Sequence, residues 1–319
     1  GNAPAESGKP EKLFKSDVNL EVTLSAPWER LIDDKGNEDP YAAVIEYTDS
    51  NGESQRHDAT VARRGITRQR VCQFPPIEIR VEKDEVKGSM LRGQKSLKLV
   101  THCRRSDRYD QYYLLEMMAY RMFNLMTDFS FRVRPLTVNY RDSESGESLD
   151  SRFAFLIEDD SDAAKRNDMK KLDIGRIPLS RLEPGYAADV ALFQYMIGNV
   201  DWSPLIGPGT GDCCHNMAPI APKPLGEDDF IWPLPYDFDS SGLVDAPYAE
   251  PPASVDARSV TERVYRGYCA HNDALEGARR KALDGKDDLV GVLDSDPRLS
   301  ERSRKKARKY LEKFSSSYL

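Results

Sequence analysis

Polar residues in the middle of the chain have the types and the order that phosphoryl transfer requires. Asp201 follows the helix-ending pair Gly198-Asn199, Asn216 comes later, and Asp237 and Asp239 follow a predicted strand. In such a site one carboxylate orients the attacking hydroxyl, while an amide and a second carboxylate hold the metal ions that neutralise the phosphates. We therefore expect Asp201 to be catalytic and Asn216, Asp237 and Asp239 to be metal ligands.

The segment that begins at Asp237 also favours a second interpretation. Asp237, Asp239 and Ser241 supply oxygens at the first, third and fifth positions of an EF-hand-like loop, and Gly242 occupies the sixth. The twelfth position is Tyr248 instead of the bidentate Glu, so a true EF-hand is not expected. The alternative to an enzyme is a non-catalytic envelope or extracellular protein whose loop binds a calcium-like ion structurally.

Composition narrows the class of protein. The chain has 319 residues, 39% of them hydrophobic and 31% charged, which suits a globular protein with a sizeable core. A net charge of −7 argues against general nucleic-acid binding, and no apolar run is long enough to span a membrane. The chain begins with Gly1 instead of Met, which favours a trimmed export signal and a periplasmic or secreted protein. The oligomeric state stays open.

The five cysteines leave several possibilities open. One disulfide would fit an oxidising compartment, and vicinal Cys213 and Cys214 are not expected to pair with each other. A third interpretation is a zinc site, because histidines lie close to cysteines at His102, His215 and His271, although the usual CxxC and HxxxH spacings are absent. Buried thiols beside core or capping histidines are the simpler explanation.

The elements that must position these residues divide the chain in two. After a flexible tail over residues 1–12, residues 13–158 alternate in a β pattern, apart from one helix with an apolar stripe over residues 112–126. Residues 159–319 are predicted to be mainly helical, with helices over residues 186–197, 260–268, 274–283 and 299–310. This order of elements predicts an α+β, bilobal fold with a crossover near residues 156–161.

The β-rich half carries the candidate nucleotide-binding groups. Lys98 lies between two leucines on a strand just before the helix that carries Glu116, so we expect it to contact phosphates with Glu116 positioning it. Arg64 and Arg68 flank a glycine-containing turn that could cover a phosphate. Glu158, at the predicted crossover, completes this cofactor-binding set.

These segments carry a resemblance to a known family. Arg64-Gly65-Ile66-Thr67-Arg68, Gly93-Gln94-Lys95-Ser96-Leu97-Lys98-Leu99-Val100, Asp201 and Pro235-Tyr236-Asp237-Phe238-Asp239 resemble the CotH family of atypical, protein-kinase-like proteins. The resemblance spans residues 60–245. It implies a bilobal protein-kinase-like fold with a β-rich N-lobe and a mainly helical C-lobe, binding of ATP with Mg²⁺ or Mn²⁺, and phosphorylation of an exported protein. The chain departs from the pattern in a glycine-rich insert, residues 207–211, before Asn216.

Overall fold

The computed structural model describes residues 12–34, 37, 39–64, 72–209 and 211–319. Two compact units divide the chain. Of the described residues, those within Lys9–Tyr113 and Arg132–Asp159 form the barrel unit, and those within Leu114–Phe131 and Asp160–Leu319 form the helical unit. Arg68 and the turn around it lie outside the described residues. Within the described ranges, every helix is too short or too polar to cross a membrane.

Seven strands of the barrel unit form a closed, mixed barrel. The order around the barrel is β1-β2-β3-β4-β5-β7-β6, and a parallel pairing of β1 with β6 closes it. The other neighbouring pairs are antiparallel. The strands are β1 (Leu20–Ala26), β2 (Tyr41–Thr48), β3 (Ser54–Arg63), β4 (Ile77–Val81), β5 (Ser96–Val100), β6 (Val133–Asp142) and β7 (Ser148–Ile157), with the short helix α1 (Trp28–Asp33) after β1.

The prediction of a bilobal, protein-kinase-like fold is wrong. The strands occur along the chain where alternation placed them, but their pairing differs from that of such a lobe. β6 and β7, which follow the long helix, insert between β1 and β5, so the sheet closes on itself. Order along the chain does not determine which distant strands pair, and here the parallel β1–β6 ladder runs from Leu20↔Leu136 to Ala26↔Asp142.

Alternating burial explains the barrel core. Leu20, Val22 and Leu24 of β1 are buried while the residues between them are more exposed, as expected of a strand with one face inward. Trp28 and Tyr140 add an aromatic contact at 5.2 Å between ring centroids. These side chains belong to one apolar cluster that continues through β2 to β7 and stabilises the unit by removing apolar surface from water.

A disulfide and a buried arginine secure the segment after β5. Cys72 and Cys103 are bonded, with their Cα atoms 4.5 Å apart. Arg152 of β7 is 2% exposed and donates to the Asp110 carboxylate at 2.5 Å and to the Arg105 carbonyl at 2.8 Å. The guanidinium therefore supplies the hydrogen-bond donors that these backbone and side-chain oxygens would lack once they are removed from water.

The helical unit surrounds a small antiparallel sheet. Its strands are β8 (Lys170–Lys171), β9 (Met217–Ala221) and β10 (Trp232–Pro235), in the order β10-β9-β8. Helix α2 (Asp110–Met126) enters this unit at Leu114 and confirms the predicted long helix. The remaining helices are α3 (Asp160–Arg166), α4 (Pro184–Ile197), α5 (Asn272–Asp284), α6 (Lys286–Gly291) and α7 (Glu301–Tyr318).

Helix α4 leads directly to the candidate site. Glu183 caps its beginning by accepting hydrogen bonds from the Gly185 and Tyr186 amides, and Gly198 ends it in the left-handed conformation at φ 69°. The helix predicted over residues 260–268 is wrong, because that segment is irregular. Its Arg263 donates to the carbonyls of Met196 and Tyr310, a tertiary contact that overrides the local helical pattern.

We expect loss of the Cys72–Cys103 disulfide to destabilise the barrel unit. Replacing both residues with Ala should lower the free energy of unfolding by about 2–4 kcal/mol, because the unfolded chain regains the freedom that the cross-link removes. Urea denaturation measures this change. Cys269→Ala is the matched control, since Cys269 is free and exposed; equal stability of the double variant and this control would contradict the prediction.

We also expect a pH effect from His102. Burial, with the nearby charge of Arg152, lowers the pKa of His102 from 6.5 to about 3. Between these values the unfolded chain binds more protons than the folded chain, so stability should fall as pH decreases from about 6.5, by up to about 1.4 kcal/mol per pH unit. In urea denaturation at pH 7, 6 and 5, His102→Gln should lose less stability than the unaltered chain. Parallel pH curves would refute this role.

Candidate functional site

Asp201 is the centre of a hydrogen-bonded group that follows α4. Its Oδ1 lies 2.6 Å from His215 Nε2, and its Oδ2 accepts from Asn216 Nδ2 at 3.2 Å. Asn216 Nδ2 also donates to the Asp201 carbonyl oxygen at 2.7 Å, and the Asn199 side chain accepts from the Asp201 amide at 3.1 Å. The side chains of Asp201 and His215 are 30% and 33% exposed, so the pair is open to solvent while its geometry is fixed.

The insert between Asp201 and Asn216 does not separate them. Ser203 and His215 exchange backbone hydrogen bonds of 3.0 Å in both directions, as in an antiparallel bridge. The intervening residues therefore leave the site and return to it as a closed loop. Asp201 and Asn216 thus lie in contact despite the long spacing between them in the sequence.

Cys213 and Cys214, which follow this insert, form a disulfide. The prediction that these vicinal residues do not pair with each other is wrong. Cys72 and Cys103 are also bonded, and Cys269 is free. The two disulfides use four of the thiols that the zinc alternative needs.

The small sheet brings Asn216 and Asp237 to one end. In the β9–β10 pair, Met217 lies opposite Pro235, and the Tyr236 amide donates to the Asn216 carbonyl at 3.0 Å. Asn216 and Asp237 thus flank the last rung of the ladder on adjacent segments. Both have left-handed backbone conformations, at φ 52° and 62° respectively.

Asp237 is in contact with α2 inside the helical unit. Its backbone amide donates to the Tyr120 hydroxyl at 2.8 Å. Glu116 lies one turn before Tyr120 on the same helix and is buried. Burial, followed by the negative charges of Glu116 and Asp237, raises the pKa of Tyr120 well above its usual value. Glu116, predicted as a catalytic residue, therefore lies one helical turn from the tyrosine that contacts Asp237.

Asp239 is engaged by the protein itself. It is 8% exposed, its Oδ2 accepts from the Tyr248 hydroxyl at 3.0 Å, and its Oδ1 lies 3.4 Å from Ser240 Oγ. The Ser241 hydroxyl oxygen accepts from the Val244 amide at 3.4 Å. These contacts use oxygens that the calcium-loop interpretation assigns to an ion. Binding of a metal by Asp239 stays a prediction.

The donor chemistry of Asn216 and Asp237 suits Mg²⁺ or Mn²⁺. Asn216 directs its Nδ2 to Asp201, which leaves Oδ1 as the amide atom suited to a cation, and Asp237 supplies a carboxylate. Across the described part of the chain, no group of three or more His, Cys, Asp and Glu side chains could hold a metal. Mg²⁺ commonly takes only one or two carboxylates and completes its shell with water and phosphate oxygens, so this sparse set fits it.

The remaining predicted residues that the structure describes, Lys98, Arg64 and Glu158, lie in the barrel unit. Lys98 of β5 lies opposite Glu78 of β4 and Ile157 of β7, on the outward-facing side between two buried leucines. Arg64 Nη2 donates to the Leu99 carbonyl at 3.2 Å. Arg64 therefore contacts β5 at the residue next to Lys98.

Glu158 lies at the end of β7 and is fully buried. Its Oε2 accepts from the Arg132 amide at 3.1 Å. Because Lys98 pairs with Ile157, Glu158 follows directly after the partner of Lys98. Lys98 and Glu116 belong to different units, and the ion pair predicted between them stays a prediction.

Sequence reasoning missed Tyr120 and Arg266 at this site. Arg266 donates to the carbonyls of Val200 and Trp202, the residues on either side of Asp201, the latter at 2.9 Å. Its guanidinium carbon lies 6.0 Å from the Trp202 ring centroid. The sequence of residues 260–268 predicts a helix, and a helical pattern gives no sign that Arg266 contacts the backbone beside Asp201.

Comparison with known proteins adds no family assignment. No protein-family model matches the chain, and no curated protein matches it. The resemblance to the CotH family, and every role inferred from it, stays a prediction.

We expect Arg266 to stabilise the loop that holds Asp201. Arg266→Met should lower the free energy of unfolding by about 1.5–3 kcal/mol, because two buried carbonyls lose a charged donor. Chemical denaturation measures this loss. Arg258→Met is the control, since that side chain is 93% exposed in an ion pair with Glu262 and its removal should cost less than about 0.5 kcal/mol. Similar values for the two variants would show that Arg266 does not have this role.

Proposed function

We propose that the chain transfers a phosphoryl group from a nucleotide, taken here as ATP, to a hydroxyl acceptor with Mg²⁺ or Mn²⁺ as cofactor. The observation that carries this proposal is the convergence at one end of the β9–β10 pair. Asn216 contacts Asp201 of the Asp201–His215 pair there, and its backbone carbonyl accepts from the amide of Tyr236, the residue before the second carboxylate, Asp237. Phosphoryl transfer depends mainly on positioning and charge stabilisation, so a site with few but fixed groups supports it.

The Asp201–His215 pair supplies proton transfer. With Nε2 donating to Asp201, the ring nitrogen Nδ1 of His215 is the acceptor that takes the proton of the attacking hydroxyl. Asp201 orients the ring and stabilises the imidazolium that results. The acceptor oxygen forms the new bond to the γ-phosphorus as the bond from that phosphorus to the bridging oxygen of the leaving nucleoside diphosphate breaks.

Asn216 Oδ1 and the Asp237 carboxylate would hold the divalent ion. When bound, that ion neutralises the phosphate oxygens. Asn216 has a second task, because its Nδ2 fixes the backbone and carboxylate of Asp201. The amide of Asn216 would thus contact both Asp201, through Nδ2, and the divalent ion, through Oδ1.

Other parts of the proposal concern the substrates and the location. We propose an exported protein as the acceptor, while the nucleotide-binding roles of Lys98, Arg64, Arg68 and Glu158 and the role of Glu116 stay predictions. The Cys72–Cys103 disulfide supports a periplasmic or secreted location, because such bonds persist mainly in oxidising compartments.

Thermal unfolding with ligands tests the proposal. ATP and Mn²⁺ together, at about a hundred times the dissociation constant, should stabilise the chain by about 2.7 kcal/mol. Asp237→Asn should abolish this shift because the ion loses its carboxylate. Asp201→Asn should retain the shift but lose phosphate transfer to a hydroxyl acceptor. Asp228→Asn, an exposed position between β9 and β10, is the control and should behave as the unaltered chain.

The outcomes separate the two interpretations of Asp237. A shift that needs both ATP and metal supports phosphoryl transfer. A shift with Ca²⁺ or Mn²⁺ alone, unaffected by ATP, would favour the structural ion loop that begins at Asp237. No shift under any condition would refute nucleotide binding by this site.

A further inference from the structure

We infer that Tyr120 is a positioning residue that holds Asp237 in the orientation needed to bind the divalent ion. The inference rests on the proposed function, since it concerns the metal ligand of that site. Its basis is the hydrogen bond from the Asp237 backbone amide to the Tyr120 hydroxyl at 2.8 Å.

Asp237 has a backbone conformation that needs support. Its φ of 62° lies in the left-handed region, which non-glycine residues adopt at an energetic cost and retain only where surrounding contacts fix it. The β9–β10 ladder ends just before it, with the Tyr236 amide bonded to the Asn216 carbonyl. The Asp237 amide is therefore the first donor beyond the ladder, and Tyr120 supplies its acceptor.

Tyr120 is itself held rigidly. It is 1% exposed in the middle of α2, and its ring packs edge-on against Phe238, with the centroids 4.7 Å apart. Phe238 in turn packs against Phe193 of α4 at 5.6 Å. Tyr120 therefore holds two consecutive residues: its hydroxyl binds the Asp237 amide, and its ring packs against Phe238.

The test compares two tyrosine-to-phenylalanine variants by Mn²⁺ titration in the presence of ATP, followed by electron paramagnetic resonance. Tyr120→Phe keeps the ring and removes the hydroxyl, so we expect the Mn²⁺ dissociation constant to rise about three- to tenfold, the equivalent of one net hydrogen bond. Tyr113→Phe is the matched control. Tyr113 lies on the same helix, is also 1% exposed, and its hydroxyl accepts a backbone amide, that of Cys103, at 3.0 Å.

Thermal unfolding of both variants distinguishes positioning from general stabilisation. A similar small loss of stability in both, with weaker Mn²⁺ binding only in Tyr120→Phe, supports the inference. Unchanged Mn²⁺ affinity in Tyr120→Phe, while Asp237→Asn abolishes binding, would overturn the inference and leave the proposed function intact. Failure of the unaltered chain to bind Mn²⁺ in the presence of ATP would overturn both.

Discussion

The hydrogen bond from the Tyr236 amide to the Asn216 carbonyl extends the β9–β10 ladder by one rung, and the candidate site depends on that rung. On one side of it Asn216 binds Asp201, and on the other Asp237 meets Tyr120. Asn216, just before β9, and Asp237, after β10, both have positive φ, so the backbone turns at these positions where the two strands meet the site. Local strain at such positions is typical of residues that are placed for a task other than packing.

The barrel shows how far an alternating pattern can determine a fold. The strands that carry buried leucine and valine at every second position, such as β1 and β5, were predictable because one face of each must leave water. The partner of β1 was not predictable, because the parallel ladder with β6 joins segments far apart in the sequence. The order of elements along the chain therefore predicted a bilobal, protein-kinase-like fold instead of a closed barrel.

For the candidate site, the sequence singled out candidate residues but not the contacts between them. Asp201, Asn216 and Asp237 carry chemistry that their order along the chain already indicated. Their connection depends on backbone details that leave no periodic signal, namely the Ser203–His215 bridge and the register of β9 against β10. Tyr120 was not recognised because an aromatic residue on an amphipathic helix is indistinguishable from an ordinary core residue until its hydroxyl partner is known.

Both sheets also limit the ways in which one copy of the chain can add strands to another. Each described strand of the barrel has a partner on both sides, so no edge of that sheet is open. In the small sheet, one edge strand is only two lysines long, and the other, β10, has proline at two of its four positions. Charge, short length and missing amide donors each oppose edge-to-edge pairing, so the β-structure that builds the site is protected from aggregation through its edges.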